Sequence, residues 1–455
     1  MKKEMFGHEI SVLRDTYRRL LHRKAKTNLV KLINKTHPAD LAVIYRFFTD
    51  NDQNYLFNLI SNNEYAAEFL SELDESILTD LLEDILPERI IPIIRTASSD
   101  DQTTILNALP EDKSKIIIDS LHTHEQEEIE EMLAYPDDSA GSMMSRDVFT
   151  LNEDLTAGEA INDLQNQEDA EMVFYLYVID SENHLAGVIS LRALVITHAS
   201  TKLKDIMTRK VQYVRAETDQ EEVAKIVSRY NLLAVPVVSS NDEILGIVTV
   251  DDVVDVIREE ATEDFLQMAG AGKDREILLK SSWGNARARL PWLFASWVGG
   301  VVAILIIGFF ENMVQSMIAL AAFIPIIIGM GGNIGTQSST IIVRGLATGR
   351  IDFGNDLKLI LKELSVGLIL GGLYGFLLGV LAYFFFSDAP ILFGVVVGLS
   401  ICSSMVIATS IGTMVPLLLR KLGIDPAIAT GPFVTTTIDI LGVGIYFLIA
   451  SALLL

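Results

Sequence analysis

The chain has 455 residues, a formal net charge of −24 with 21% charged residues, and a positive mean hydropathy. It is too long for one ordinary domain, and strong charge beside net hydrophobicity excludes a uniform globular protein. From residue 283 onward there are 8 Lys plus Arg and 7 Asp plus Glu, which leaves 28 and 53 of the chain's 36 and 60 before it, a net of −25. The front is therefore an acidic soluble assembly and the back a membrane domain, and no nucleic-acid partner is expected.

The first 15 residues carry charges throughout and no apolar stretch, so no cleavable signal peptide is expected. The single cysteine, Cys402, lies in an apolar run and excludes an intrachain disulfide. Both observations suit a cytoplasmic soluble half.

Residues 1–35 hold ten Lys or Arg against three acids, with Leu13, Tyr17 and Leu20 or Leu21 at helical spacing. This predicts a basic helix, either lying on a membrane surface or docked on the acidic body of the same chain. Residues 36–135 read as short amphipathic helices. Leu86-Pro87-Glu88 and Leu109-Pro110-Glu111 recur 23 residues apart, each placing Pro at a helix start and an acid in the first turn, as stacked helix pairs in a small superhelical domain would.

A duplication follows. Met144-Ser145-Arg146-Asp147-Val148 is echoed by Met207-Thr208-Arg209-Lys210-Val211, and Leu185-Ala186-Gly187-Val188-Ile189-Ser190 by Ile244-Leu245-Gly246-Ile247-Val248-Thr249. Each copy has a β-rich run, a turn, another strand and then a helix. Residues 136–200 and 201–264 thus resemble a tandem pair of cystathionine-β-synthase (CBS) modules. In that family a terminal Ser/Thr and an Asp three residues later often hold the phosphate and ribose of an adenosine nucleotide. The second copy has Thr249 and Asp252, the first Ser190 and Ala193, so the resemblance implies that ATP is a candidate regulator at the second copy.

The helix after Thr249 carries Asp251, Asp252, Asp255, Glu259, Glu260, Glu263 and Asp264. Asp251, Asp255, Glu259 and Glu263 form one row; Asp252, Glu260 and Asp264 form a second, interrupted by Val256. Val250, Val253, Val254, Ile257, Ala261 and Phe265 are expected on the buried side. Like charges four residues apart repel by a few tenths of a kcal/mol, roughly, and divalent cations would relieve this. A solvated acidic face is the plain alternative. A helix that leads through residues 265–290 into the membrane domain favours a cation sensor.

Five apolar spans are predicted at about 291–310, 317–343, 364–386, 391–419 and 427–455. Arg287, Arg289, Arg344, Arg350, Lys358, Lys362, Arg420 and Lys421 flank one side of them, and the loops at 311–316 and 387–390 have no basic residue. The positive-inside rule places the soluble half in the cytoplasm and the C-terminus outside.

The second span is the most informative. Through Gly329, Gly331, Gly332, Asn333, Gly335, Thr336, Gln337 and Thr340 it is rich in glycine, amides and hydroxyls, which survive at membrane depth where they are buried in protein or line a wet cavity. Asn333 and Gln337 share a helix face, as do Thr336 and Thr340. The span is expected to line a pathway, with a small-residue packing face as the alternative. In the last span Asp439 is expected to be the only carboxylate well away from the loops, with Thr435 one turn before it and Gly431 near the span's start. It is the candidate intramembrane cation ligand, against a purely structural aspartate. One carboxylate suits Mg²⁺, which keeps most of its water, and a two-fold axis would bring two copies together.

The order of helical domain, CBS pair, linker and five spans resembles the MgtE family of bacterial magnesium channels from about residue 36. The motifs that carry this are 325–329, Gly331-Gly332-Asn333, Gly335, Gln337, Asp425-Pro426-Ala427 and Asp439. The resemblance implies a homodimeric Mg²⁺ pore in the bacterial inner membrane, gated by cytosolic Mg²⁺ between the helical domain and the CBS pair. By position it puts the sensor on the acids from Asp252 to Asp264, with Asp100 and Asp101 as partners. The family pattern has Asn where this chain has Gly431. No enzyme is expected: there is no phosphate-binding Gly-Lys-Ser/Thr loop, and no nucleophile and base stand together in a recognisable pattern. The rival readings are a proton- or sodium-coupled carrier of Mn²⁺ or Co²⁺, and a membrane-anchored nucleotide sensor.

Overall fold

The computed structural model describes all residues except 1, 167–173, 273–276, 278–280, 352–355, 387–390, 430 and 455. The loop at 387–390 and seven residues of the expected linker, 273–276 and 278–280, therefore lie outside the described residues. The chain divides into two compact units, Met1–Ile257 and Arg258–Leu455.

In the first unit, helices Lys2–His22 and Lys26–Ile33 form a hairpin whose corner, Lys24, has φ 49°. Tyr17, Leu21, Leu29 and Ile33 are buried in one core with Leu41, Tyr45 and Phe57. The Tyr17 hydroxyl donates to Thr36 at 3.0 Å. The basic helix is thus docked on the helical domain, the second of its two readings. Short helices continue to Thr123–Leu133. Pro87 opens helix Pro87–Ile94, whereas Pro110 is the cap residue just before Glu111–Ile118, one position earlier than its counterpart.

Two three-stranded sheets follow, Thr150–Asn152, Tyr175–Ile179, Leu185–Ser190 and Val214–Arg215, Ala234–Val238, Ile244–Thr249. In each, the first pair is parallel and the second antiparallel. The register shifts at the equivalent place in both, between Val178 and Ile179 and between Val237 and Val238. The repeated Met-Ser/Thr and strand Gly explain one another. Ser145 bridges to Ile247 and Thr208 to Val188, so each Met arm pairs with the other copy's strand. A Cβ on Gly187 would sit 2.6 Å from the Met207 sulfur, and one on Gly246 would sit 3.2 Å from the Met144 sulfur.

Helix Val250–Met268 carries all seven acids of the expected sensor. Its buried apolar positions are Val253 and Val256, while Val254, Ile257 and Phe265 are exposed. This corrects the expected buried side. Val253 and Val256, three apart, dock on the sheet core, and the wider apolar stripe is left uncovered by this chain.

The second unit holds five long apolar helices: Ser282–Phe309, Ala319–Ala347, Asp356–Phe385, Ile391–Lys421 and Pro432–Leu454, the first to fifth spans below. Third and fourth spans pack through glycine. Cβ atoms added at Gly379 and Gly398 would meet the Gly394 and Gly375 carbonyl oxygens at 2.7 and 2.8 Å, and one at Gly371 would lie 3.0 Å from the Cys402 backbone. Backbones approach this closely only where side chains are missing. At one end of the bundle Lys421 pairs with Asp356 at 2.6 Å and Arg420 donates to the Ile351 carbonyl at 3.1 Å. The basic stretches after the second and fourth spans therefore lie on the same side, as the charge pattern requires. The fifth span is tied to the second by the Tyr446 hydroxyl, which donates to the Leu320 carbonyl at 2.8 Å.

The glycine contact gives a direct test. Gly398→Ala should destabilise the membrane domain by about 1–3 kcal/mol through overpacking, whereas Gly372→Ala, with nothing within 4 Å of the added carbon, should be close to neutral. Melting of the two variants in detergent checks this, and equal melting temperatures would remove the glycine contact from the account.

Candidate cation pathway and acidic junction

The second span is helical throughout despite its glycines, so its side chains sort by face. Gly329, Asn333 and Gln337 fall on a face the rest of the chain leaves exposed, with Pro325 a turn earlier and Ile341 a turn later. Gly331 and Gly335 are on the opposite, buried face. Gly331 lies against the Ser404 hydroxyl and Ile438, and Gly335 against Ile438, so these two glycines serve packing between the second, fourth and fifth spans. Gly332 lies between the two faces. The Asp439 carboxylate of the fifth span stands beside it, 3.8 Å from where a Cβ would be. The structure thus brings Asp439 to the Gly332-Asn333 turn.

Two hydroxyls are turned back onto their own helices. Thr336 donates to the Gly332 carbonyl at 2.9 Å, and Thr435 to the Pro432 carbonyl at 3.2 Å. Both oxygens keep acceptor capacity. Gly431 is buried, and a Cβ there would be in ordinary contact with the Gln267 carbonyl and Gly270. It sits beneath the end of helix Val250–Met268 and not on the exposed face of Asn333.

Asp439 is not the sole deep carboxylate. The third span begins at Asp356, eight residues before its expected start, and this brings Glu363 inside the bundle. Glu363 is 7% exposed and accepts from the Ser338 hydroxyl of the second span at 2.9 Å. The signal in the sequence was the pair of i, i+4 apolar matches Leu357 with Leu361 and Ile360 with Leu364, which extends the helix upstream. The hydroxyls of Ser339, Ser400 and Ser404 are buried without a partner among the described residues, so the interior of the bundle is polar beyond its glycine-rich span.

The acidic junction lies in the first unit. Helix Ser99–Asn107 places Asp100 and Asp101 in its first turn, and the Arg146 amide donates to the Ser99 hydroxyl at 2.7 Å. That contact holds the helix against the start of the CBS pair. Asp101 and Asp252 are each pushed up to about 7 by burial, reinforced by Asp100 for both, by Asp252 for Asp101 and by Asp251 for Asp252. Asp100 is raised by burial and by Asp251, and its Oδ1 is buried with no partner among the described residues. The Thr249 hydroxyl donates to Asp252 at 2.5 Å. Asp255 lies a turn further along the same helix, and Glu259, Glu260, Glu263 and Asp264 continue it into the second unit. Among the described residues no three acids or histidines stand close enough to form a ready-made ligand cage. Mg²⁺ does not need one, since it is commonly held through one or two carboxylates with waters retained. An orphaned carboxylate oxygen and acids that resist ionisation beside one another fit a divalent ion that would neutralise them.

Comparison with known proteins identifies the domains of this chain. Residues 324–449 match the family model described as divalent cation transporter, 36–138 the MgtE intracellular N domain, and 140–197 and 203–259 the CBS domain. The magnesium transporter MgtE of Thermus thermophilus is 36% identical over 94% of this chain and 95% of its own length, and that of Bacillus subtilis 33% identical over 92% and 93%. The chain belongs to the MgtE family of magnesium transporters. A solved MgtE cytosolic domain, described as that of a Mg²⁺ channel in complex with ATP, is 32% identical with a TM-score of 0.51, covering 53% of this chain and 99% of that one. The MgtE transporter model contains Pro325 to Asp439, hence the whole candidate pathway, and the MgtE N-domain model begins after the basic hairpin that here shares its core. MgtE proteins are transporters and not enzymes, as the motif content implies.

The junction predicts a pH dependence. Asp101 and Asp252 hold protons in the folded chain up to about pH 7, while unfolded aspartates release them near pH 4. The native state binds more protons across that window, so their contribution is complete below about pH 4 and is lost as pH rises through 7. In Mg²⁺-free buffer the melting temperature should fall by a few degrees, roughly, from pH 5 to pH 8, and Mg²⁺ should restore it most at pH 8. The double variant Asp101→Asn, Asp252→Asn should flatten both trends, as differential scanning fluorimetry would read.

Proposed function

We propose that this chain conducts Mg²⁺ through a pathway completed by a second copy, and that cytosolic Mg²⁺ at the acidic junction closes it. The observation that carries the reading is the exposed face of Gly329, Asn333 and Gln337 beside Asp439. Two carboxamides turned to lipid would be costly, and a two-fold partner that encloses water between the two faces removes that cost. Asp439 then holds the hydrated ion, Asn333, Gln337, Thr336 and Thr435 hydrogen-bond its waters, and Gly332 leaves space for them. The names of the relatives, magnesium transporters, support Mg²⁺ as the ion.

At the junction, repulsion among Asp100, Asp101, Asp251 and Asp252 favours separation of the helical domain from the CBS pair when Mg²⁺ is low. Bound Mg²⁺ favours approach, and a ligand shifts such an equilibrium through its differential affinity for the two states. Asp255, Glu259, Glu260, Glu263 and Asp264 extend the acidic row toward the membrane domain. ATP is a second effector in this scheme, at Thr249 and Asp252, supported by the ATP complex of the related cytosolic domain. Asp252 serves both ligands, so the two should influence each other's binding. The soluble unit is cytoplasmic, the membrane is the bacterial inner membrane, and the C-terminus lies outside.

Asp439→Asn should abolish Mg²⁺ uptake into proteoliposomes while the purified variant stays dimeric by light scattering. Undiminished uptake would remove Asp439 from the mechanism. Asn333→Leu and Gln337→Leu should reduce uptake about tenfold or more, and Ile341→Leu, on the same exposed face, should not. Equal and mild effects would favour the packing-face reading. Neutralising Asp252, Asp255, Glu259, Glu260 and Glu263 together to Asn or Gln should flatten the dependence of uptake on Mg²⁺ at the cytoplasmic side, and a retained wild-type dependence would move the sensor elsewhere.

A further inference from the structure

At the end of helix Val250–Met268, Gln267 is fully buried. Its Nε2 donates to Glu263 Oε1 at 2.9 Å, one turn earlier on the same face. Since a carboxylate accepts only, this bond fixes which end of the amide faces Glu263. The other end, Oε1, has no hydrogen-bond partner among the described residues. A buried amide oxygen without a donor is rare and calls for an explanation.

The helix stops at Gly270, φ 69°, whose amide donates to the Gln267 carbonyl at 2.9 Å. Gly270 rests on the Pro432 ring, 2.8 Å from where its Cβ would be, and Gly431 lies against the Gln267 carbonyl and the Gly270 backbone. The helix end is therefore seated, backbone on backbone, at the start of the fifth span. Pro432 has no N–H, and the Thr435 amide already donates to the Gly431 carbonyl. Asp439 lies seven residues further along that helix, about 10 Å at 1.5 Å per residue.

We infer that Gln267 is a cation-positioning residue at the pathway mouth: its side-chain oxygen accepts a hydrogen bond from a coordinated water of a hydrated divalent cation, with the Glu263 charge one turn away favouring the same ion. This rests on the conduction reading of Asp439. Water bound to a divalent ion is a strengthened donor, and Mg²⁺ gives up such water reluctantly, so contact through the hydration shell suits a neutral amide paired with a carboxylate. A purely structural role explains the burial of Gln267 and the bond to Glu263, but leaves Oε1 unaccounted for.

The probe is cobalt(III) hexaammine, an inert octahedral trication whose ammines donate hydrogen bonds and do not exchange. Full-length protein in proteoliposomes is assayed for block of Mg²⁺ uptake by the hexaammine, and the same protein for melting temperature in EDTA. Gln267→Leu should weaken block about tenfold, the size of one charge-assisted hydrogen bond, while its melting temperature in EDTA stays level or rises, because it removes an unpaired polar atom. Gln267→Glu, which keeps the oxygen and adds charge, should strengthen block. The inference is overturned if the hexaammine does not block the wild type, if both variants keep wild-type block, or if Gln267→Leu melts lower in EDTA without weakening block. Loss of uptake in Asp439→Asn together with unchanged block in the Gln267 variants would sink this inference alone, whereas normal uptake in Asp439→Asn would sink the reading on which it rests.

Discussion

The cost of leaving amides and carboxylates in hydrocarbon governs this structure. Asn333 and Gln337 point away from their own bundle, and Asp439 stands at the edge of the same face. A bilayer offers such groups no hydrogen bonds, so leaving them on this face is costly. The other features of the membrane domain serve that exposed face. Gly331 and Gly335 bring the fourth and fifth spans close behind the second, Tyr446 fixes the fifth to the start of the second, and Thr336 turns its hydroxyl inward to its own helix.

The acidic junction applies the same physics in water. Asp100, Asp101 and Asp252 resist ionisation because each is partly withdrawn from solvent beside others of its kind. Protonation relieves the repulsion, and in the proposed gating a divalent cation would compete with protons for the same place. The cluster lies between helix Ser99–Asn107 and helix Val250–Met268, where the proposed gating would act.

Much of this was legible in the sequence because the relevant signals are local. Apolar length gives the five spans, four-residue spacing puts Asn333 and Gln337 on one face, and the doubled Met-Ser/Thr and Gly motifs give the paired modules. What could not be read was set by contacts far apart in the chain. Nothing local says that Ser145 bridges to Ile247 while Thr208 bridges to Val188, so that each copy's leading arm belongs to the other's sheet. Likewise Gly331 and Gly332 are identical in the sequence, and only the position of the fourth and fifth spans makes one a packing contact and the other the neighbour of Asp439. Glu363 is missed because the apolar run that marks its span begins eight residues after the helix does, and Val254 and Ile257 are expected inside because an apolar stripe does not reveal whether its own chain covers it.

The glycine contact between the third and fourth spans bears on how such a bundle could move. Packed side chains absorb small displacements by changing rotamer, but Gly375, Gly379, Gly394 and Gly398 touch through carbonyl oxygens and have no rotamers to change. These two spans therefore behave as one stiff body, a stator. Compliance has to reside where the backbone can turn without a Cβ to obstruct it. Gly272, with φ of 93° ahead of the first span and only ordinary contacts around it, is such a place.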